Sequence, residues 1–230
     1  MEKKILVFSY HNEECHYGPS FKAIGELTRS SKEEYCQTHG YDFYLKDNNF
    51  DYSKRKGYER WDIFLEKIND YDWLWYIEAD LMIMNHTIRL ENLIDEKYDM
   101  IIGQNPHNKE IKEINNGSIL LKNSNWSLSF LKHIDSLTQY YYHSWGTQQA
   151  IIDYINITHA EEAEKHIKIV PLRYFNSYYH QWHPEDNFQI GDFVLHAAGS
   201  SNDYRFNLFN EVKQYIIKAP QVNIKTQPFL

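Results

Sequence analysis

Residues Trp73-Leu74-Trp75-Tyr76-Ile77-Glu78-Ala79-Asp80 constrain this chain more than any other stretch. Four of the first five are aromatic or β-branched, and the run then stops in acid-x-acid. An unbroken apolar run of this length reads as a strand buried on both faces. Its last residues carry two carboxylates to the carboxyl end of the strand, where α/β sheets place their ligands. Carboxylate oxygens suit Mg²⁺ or Mn²⁺, and these cations in turn suit a diphosphate.

Strands alternate with helices around this stretch. Residues 5–10 read as a first buried strand, 21–39 as a helix stopped by Gly40, and 41–45 as a second strand. A polar segment over 47–56 leads to a helix over 58–68 and then to the strand 71–77. Further on, 99–102 and 117–122 read as short strands, and 126–140 as a helix capped by Asn125. Residues 147–156 form another helix, 167–171 and 192–196 late strands, and 210–218 a closing helix. Asn115-Asn116-Gly117 is expected to turn the chain into its second half. The alternation predicts an α/β fold with parallel, Rossmann-like pairing from the start. With no repeat and no linker, one domain over 1–230 is expected, its tail beginning at 219.

Composition excludes some partners. A formal charge of −8 argues against nucleic acid and anionic membrane, which need basic surface. Cys15 and Cys36 make no disulfide framework and point to a reducing compartment. No run approaches the roughly 18 apolar residues of a membrane span. The first nine residues lack the apolar length of a secretion signal, so a cytoplasmic location is expected. His180-Gln181-Trp182-His183 is a poor zinc signal, having neither cysteine nor a third close ligand.

A series of short motifs sharpens the reading. In order they are Lys32-x-x-Tyr35-Cys36-x-x-His39-Gly40-Tyr41, Tyr58-x-Arg60, Trp73-x-Trp75-x-x-Glu78-x-Asp80, Asn115-Asn116-Gly117-Ser118-x-Leu120-Leu121-x-Asn123-x-x-Trp126-Ser127, Gln148-x-Ala150 and His196-x-x-Gly199. This series resembles glycosyltransferase family 34, the retaining α-galactosyl- and α-xylosyltransferases, over about residues 28–200. The small size and the lack of a membrane anchor also resemble the compact capsid-glycan transferase domains of large algal viruses, for which the host cytoplasm would be the setting.

The resemblance implies a GT-A fold: a Rossmann-like mixed sheet flanked by helices, with a nucleotide-sugar half over about 1–105 and an acceptor half over about 106–218. It implies Mn²⁺- or Mg²⁺-dependent transfer from a UDP-sugar to an oligosaccharide or glycoprotein, with retained anomeric configuration. Asp80 and His196 then stand as metal ligands. Glu78 replaces the family's first Asp, and three roles stay open for it: a ligand through water, a partner for the ribose hydroxyl, or a structural carboxylate. Ala79 lies between the acids. Ser9 and Tyr10, at the end of strand one, would meet the uracil and ribose. Lys32 matches the family's lysine on the first helix, Arg60 is a candidate for the diphosphate or the sugar and Arg205 for phosphate, and Gly199 and Ser200 would offer phosphate backbone N–H groups. Asn115 and Asn116 would read sugar hydroxyls, although the family has Thr at Asn116. Gln148 would sit beside the anomeric carbon, with Thr147 where the family has an acid. Trp145, Trp182 and His183 are candidates for stacking on the acceptor. The departures at Glu78, Asn116 and Thr147 keep a catalytically inactive sugar-binding relative in play, and a nucleotide-sugar hydrolase is a separate alternative. A pyrophosphorylase fits less well, because Ser9-Tyr10-His11-Asn12-Glu13 is no Gly-rich basic phosphate loop.

Overall fold

The computed structural model describes residues 3–11, 21–49, 57–105, 111–179 and 187–220. Strand β3 (Trp73–Ile77) is the predicted apolar run, and all five residues are buried. Pleating sends Trp73, Trp75 and Ile77 to one face and Leu74 and Tyr76 to the other. Each set enters its own hydrophobic cluster, which is why the run shows no polar alternation. Strand β1 (Ile5–Tyr10) pairs in parallel with β3 on one side and with β2 (Asp42–Lys46) on the other. Helix α1 (Phe21–His39) joins β1 to β2 and stops where predicted: Gly40 takes φ 73, and the Tyr41 N–H reaches back 3.0 Å to the Cys36 carbonyl.

Past β3 the sheet is no longer parallel. Strand β6 (Ile114–Lys122) runs antiparallel to β3, and β5 (Met100–Gln104) antiparallel to β6. Strand β7 (Ile167–Val170) is parallel to β5, giving the order β2-β1-β3-β6-β5-β7. The parallel expectation therefore holds for β1, β2 and β3 and again for β5 and β7, and the sheet as a whole is mixed, as the resemblance implies. A second sheet holds β4 (Leu81–Ile83), β9 (Val194–His196) and β8 (Ser177–Tyr178) in that order. Helices α2 (Glu59–Lys67), α3 (Asn125–Ser136) and α4 (Thr147–Asp153) supply the cluster on one face of the large sheet. Helix α1 and the small sheet supply the other. Helix α5 (Ala160–His166) leads into β7, and α6 (Asn202–Val212) packs Leu208 and Phe209 with Ile24 of α1. No helix among the described residues is long and apolar enough to cross a membrane.

Several boundaries differ from the sequence reading. Asn115-Asn116-Gly117 is no turn: it lies inside β6, where Ile102 pairs with Ile119 but Gly103 pairs with Asn115. Asn116, Gly117 and Ser118 therefore bulge away from β5, a place that needs the same permissive residues as a turn. Ser124, not Asn125, caps α3; its hydroxyl accepts the Ser127 N–H at 3.1 Å, and the helix ends at Ser136. Helix α4 gives way after Asp153 to a wider turn over Tyr154–Thr158. The last helix begins at Asn202 rather than Asn210, because the Ser201 side chain accepts from the Tyr204 N–H. Strands β4 and β8 are too short to show a period, and α5 is mostly charged; all three escaped the pattern.

Trp75 anchors the large sheet to the small one. It is wholly buried, stacks on Phe193 at 5.2 Å and donates its indole N–H to Ser118 Oγ at 2.9 Å. Trp75→Ala is expected to cost about 3–5 kcal/mol of stability, measured by urea unfolding. A loss under about 1 kcal/mol would contradict this packing.

Candidate active site

Backbone hydrogen bonds fix the path of the chain at the end of β3. The Glu78 N–H donates to the Gly117 carbonyl at 2.8 Å, and the Leu81 N–H closes a turn onto the Glu78 carbonyl at 3.2 Å. Strand β4 follows at once, and its register sets Leu81 opposite His196 on β9. The Ala197 N–H then bonds the Asp80 carbonyl at 3.1 Å. Two residues far apart in sequence are thereby held side by side.

Ligand atoms of Glu78, Asp80 and His196 all lie within 4.8 Å of one another. His196 Nε2 stands 3.4 Å from Asp80 Oδ1 and 3.5 Å from Glu78 Oε2. Asp80 and His196 are buried, while the Glu78 side chain is 26% exposed toward the cavity. Asp80 Oδ1 is buried with no hydrogen-bond partner among the described residues. A Cβ on Gly117 would stand 2.4 Å from His196 Cε1 and 2.8 Å from Glu78 Oε2. An acceptor without a donor, two carboxylates and an imidazole, in a pocket that tolerates no side chain at residue 117, fit a divalent cation.

The charges are strongly coupled. Burial alone would lower the His196 pKa, but Asp80 and Glu78 outweigh it and push it up to about 9. Burial would raise both acids; His196 and Arg205 hold Asp80 well below the usual carboxylate range, and His196 and Arg60 hold Glu78 below it.

Three predicted cations take different places. Arg205, on the first turn of α6, forms an ion pair with Asp80, its Nε standing 2.8 Å from Oδ2 while the Nε–H donates to the Ala197 carbonyl, and it lines the cavity. Arg60 is buried; its guanidinium reaches the Asn116 carbonyl at 2.7 Å, and Glu78 Oε1 and the Tyr10 hydroxyl at 3.3 Å each. It lies 4.6 Å over the Tyr76 ring. Lys32 sits behind the strand end, 1% exposed, and donates to the Glu78 carbonyl at 2.9 Å and to the Ala79 carbonyl and Ser9 Oγ at 3.4 Å each. Burial pushes its pKa down to about 7, against the pull of Asp80 and Glu78. Ser9 and Ala79 share that buried layer. Tyr10 stacks on Tyr76 at 5.8 Å, so its phenol serves as a seat for Arg60.

The carboxylates open into a cavity of about 270 Å³. Asn115, Asn116, Trp145, Gln148 and Gly199 line its walls. The Asn116 N–H donates to Gln148 Oε1 at 3.3 Å, and Asn116 Nδ2 to Thr147 Oγ1 at 3.0 Å, so the bulge of β6 and the start of α4 are stitched together. Gly199 takes φ 67 in the loop before α6, and the Ser200 hydroxyl turns back to the Ala198 carbonyl. Trp145 stands at the rim, 47% exposed. Trp182 and His183 lie outside the described residues. Sequence reasoning missed Phe21, Ser144 and Gly146 of the lining, and Asn176 and Tyr178 beneath it. Asn176 carries no local signal, since its hydrogen-bond partners are distant in sequence.

This mixed sheet, whose central strand ends in an acid cluster beneath a polar cavity, matches the GT-A fold of solved glycosyltransferases. Residues 32–156 match the family described as "Protein of unknown function, DUF273", which covers over half the chain, and the protein belongs to that family. An uncharacterised alpha-1,2-galactosyltransferase of Schizosaccharomyces pombe is 24% identical over 84% of this chain and 67% of its own length. The probable alpha-1,6-mannosyltransferase MNN10 of Saccharomyces cerevisiae is 25% identical over 46% of this chain and 35% of its own length. Among solved structures, a glycosyltransferase involved in glycosylation of the PBCV-1 major capsid matches with TM-score 0.71 at 18% identity, over 90% of this chain and 99% of that one. The galactosyltransferase LgtC, solved with donor and acceptor sugar analogues, matches with TM-score 0.54 at 11% identity, over 94% and 98%. The resemblance read from the motifs is borne out by these matches.

Two outcomes follow from the geometry. Gly117→Ala drives a methyl group into His196 and Glu78 and is expected to cost about 1–3 kcal/mol in urea unfolding. The second concerns pH. The His196 imidazolium is stabilised in the fold, so that contribution is complete below the ordinary pKa of 6.5 and is lost as pH rises through about 9. The melting temperature of metal-free protein should fall across that window, and His196→Gln should flatten the slope. An identical slope in the variant would contradict the coupling.

Proposed function

We propose that this protein is a glycosyltransferase that moves a sugar from a UDP-sugar to a glycan or glycoprotein acceptor, with Mn²⁺ or Mg²⁺ held by Glu78, Asp80 and His196. The observation that carries the proposal is the convergence of these three side chains within 4.8 Å beneath a polar cavity. The glycosyltransferase names of the curated relatives support the reaction class. In this reading residues 1–105 bind the nucleotide and 106–218 the acceptor, within one domain.

A bound cation supplies positive charge against the diphosphate as it departs. The protein's own groups do the rest. Arg205 and Arg60 add fixed positive charge at the cavity wall. Gly199 leaves room for phosphate oxygens against backbone N–H groups. Lys32 and Ser9 act from behind, fixing the carbonyls of Glu78 and Ala79 so that the two acids project forward. Gln148 presents a neutral amide beside the reacting carbon. A neutral amide is a poor nucleophile, so the proposed retention proceeds with the acceptor hydroxyl attacking on the leaving-group face. The new C–O bond forms as the bond to the diphosphate breaks, its electron pair and the acceptor's proton both passing to phosphate oxygen. Trp145 offers an aromatic face at the rim for the acceptor, and Trp182 and His183 are proposed to extend it.

Incubation with Mn²⁺ and a panel of UDP-glucose, UDP-galactose, UDP-xylose and UDP-rhamnose should release UDP from one donor at a slow hydrolytic rate. EDTA should stop it, and Asp80→Asn should slow it by at least about 100-fold. Absence of binding by any UDP-sugar in calorimetry with Mn²⁺ present would overturn the proposal. Turnover of GDP-mannose alone would overturn the nucleotide.

A further inference from the structure

Asn176 is wholly buried, just ahead of β8, and belongs to none of the motifs above. Its Oδ1 accepts from His196 Nδ1 at 2.7 Å, and its Nδ2 donates to Asn115 Oδ1 at 2.8 Å. Asn115 Oδ1 also accepts the Gly117 N–H at 2.8 Å. These three bonds have only one consistent direction. A backbone N–H can only donate, so the Asn115 atom that meets it is the oxygen. That oxygen demands a donor from Asn176, which turns the Asn176 amide with its nitrogen toward Asn115 and its oxygen toward His196. The Asn176 oxygen demands a hydrogen on His196 Nδ1. Nε2, which faces Asp80 and Glu78, is left as the ring nitrogen that offers a lone pair to a cation. Tyr178 packs beside this network, its ring edge-on to His196 at 5.7 Å.

We propose that Asn176 is a positioning residue that carries the direction of the Gly117 N–H to two places at once, the tautomer of His196 and the amide orientation of Asn115. The proposal rests on the reading of Glu78, Asp80 and His196 as cation ligands. It also adds a rule for the donor sugar. Both lone pairs of Asn115 Oδ1 are used within the protein, so Asn115 meets the cavity through N–H, and a sugar hydroxyl there must accept. Cation binding and sugar reading are thus joined through one buried side chain.

Wild type, Asn176→Leu and Asn176→Asp separate the two roles. The first readout is the protonation of the His196 ring nitrogens, by ¹⁵N NMR of metal-free protein at a pH where the imidazole is neutral. The second is Mn²⁺ affinity without nucleotide, by electron paramagnetic resonance. The third is UDP-sugar affinity at saturating Mn²⁺, by calorimetry. Wild type should carry its proton on Nδ1. In Asn176→Leu the proton should move to Nε2, toward the carboxylates, and Mn²⁺ affinity should fall about 10- to 100-fold. Asn176→Asp keeps an acceptor for Nδ1–H and loses the donor to Asn115. It should hold Mn²⁺ within about threefold of wild type, yet bind UDP-sugar about tenfold more weakly. An Asn176→Leu protein with wild-type tautomer and Mn²⁺ affinity would overturn the relay. If that variant fails to fold, an Asn176→Asp protein with wild-type UDP-sugar affinity, or with the proton on Nε2, overturns it equally. A wild type that binds no Mn²⁺ would overturn the cation reading instead, and the metal-free tautomer tells the two failures apart.

Discussion

Two carboxylates crowded at the end of a buried strand repel each other, and the surroundings of the cavity are organised to offset that repulsion. Glu78 and Asp80 project from one short turn into a medium where charge is poorly solvated. Each receives its own counter-charge from another part of the chain: Arg60 from α2 for Glu78, Arg205 from α6 for Asp80, and His196 from β9 between them. Every one of these cations is itself held by backbone carbonyls or side chains. Arg60 grips Gly57 and Asn116, and Arg205 grips Ala197 and Asn202. The acid turn is therefore the hub to which α2, α6 and both sheets are fastened.

This hub explains why the large sheet changes direction where it does. Strand β6 runs antiparallel to β3, and its bulge places the Gly117 carbonyl on the Glu78 N–H. Three unpaired residues opposite β5 leave Asn116 free to send its side chain to Thr147 and its carbonyl to Arg60. A regular strand would have turned these groups into its own ladder. The irregularity is thus what lets one strand serve both the cavity wall and the acid turn.

Legibility in the sequence followed range of interaction. The strand end at Glu78 and Asp80 was visible because an unbroken apolar run stops there in acid-x-acid, and β1 and α1 were visible because their periods are local. His196 could be picked out only by its motif; what sets it beside Asp80 is the pairing of β4 with β9, and three-residue strands leave no pattern. Lys32 was visible only as the family's lysine on the first helix, whereas its burial under the strand end depends on a sheet formed forty residues later. Asn115-Asn116-Gly117 misled because turns and bulges select the same residues. Asn176 was illegible: its partners lie twenty and sixty-one residues away, and nothing in an asparagine among aromatics announces them.

The β4–β9 pairing has a further consequence for the order in which the molecule assembles. Asp80 stands about a third of the way along the 230 residues and His196 more than a hundred residues beyond it, brought together by the β4–β9 pairing. Contacts of such long sequence separation carry a large loop-closure cost and slow folding. Until that loop closes, the acid turn is without its imidazole. A cation that binds only the completed cluster would favour the folded state by mass action, and its affinity would serve as a gauge of how much of the chain has reached its final packing.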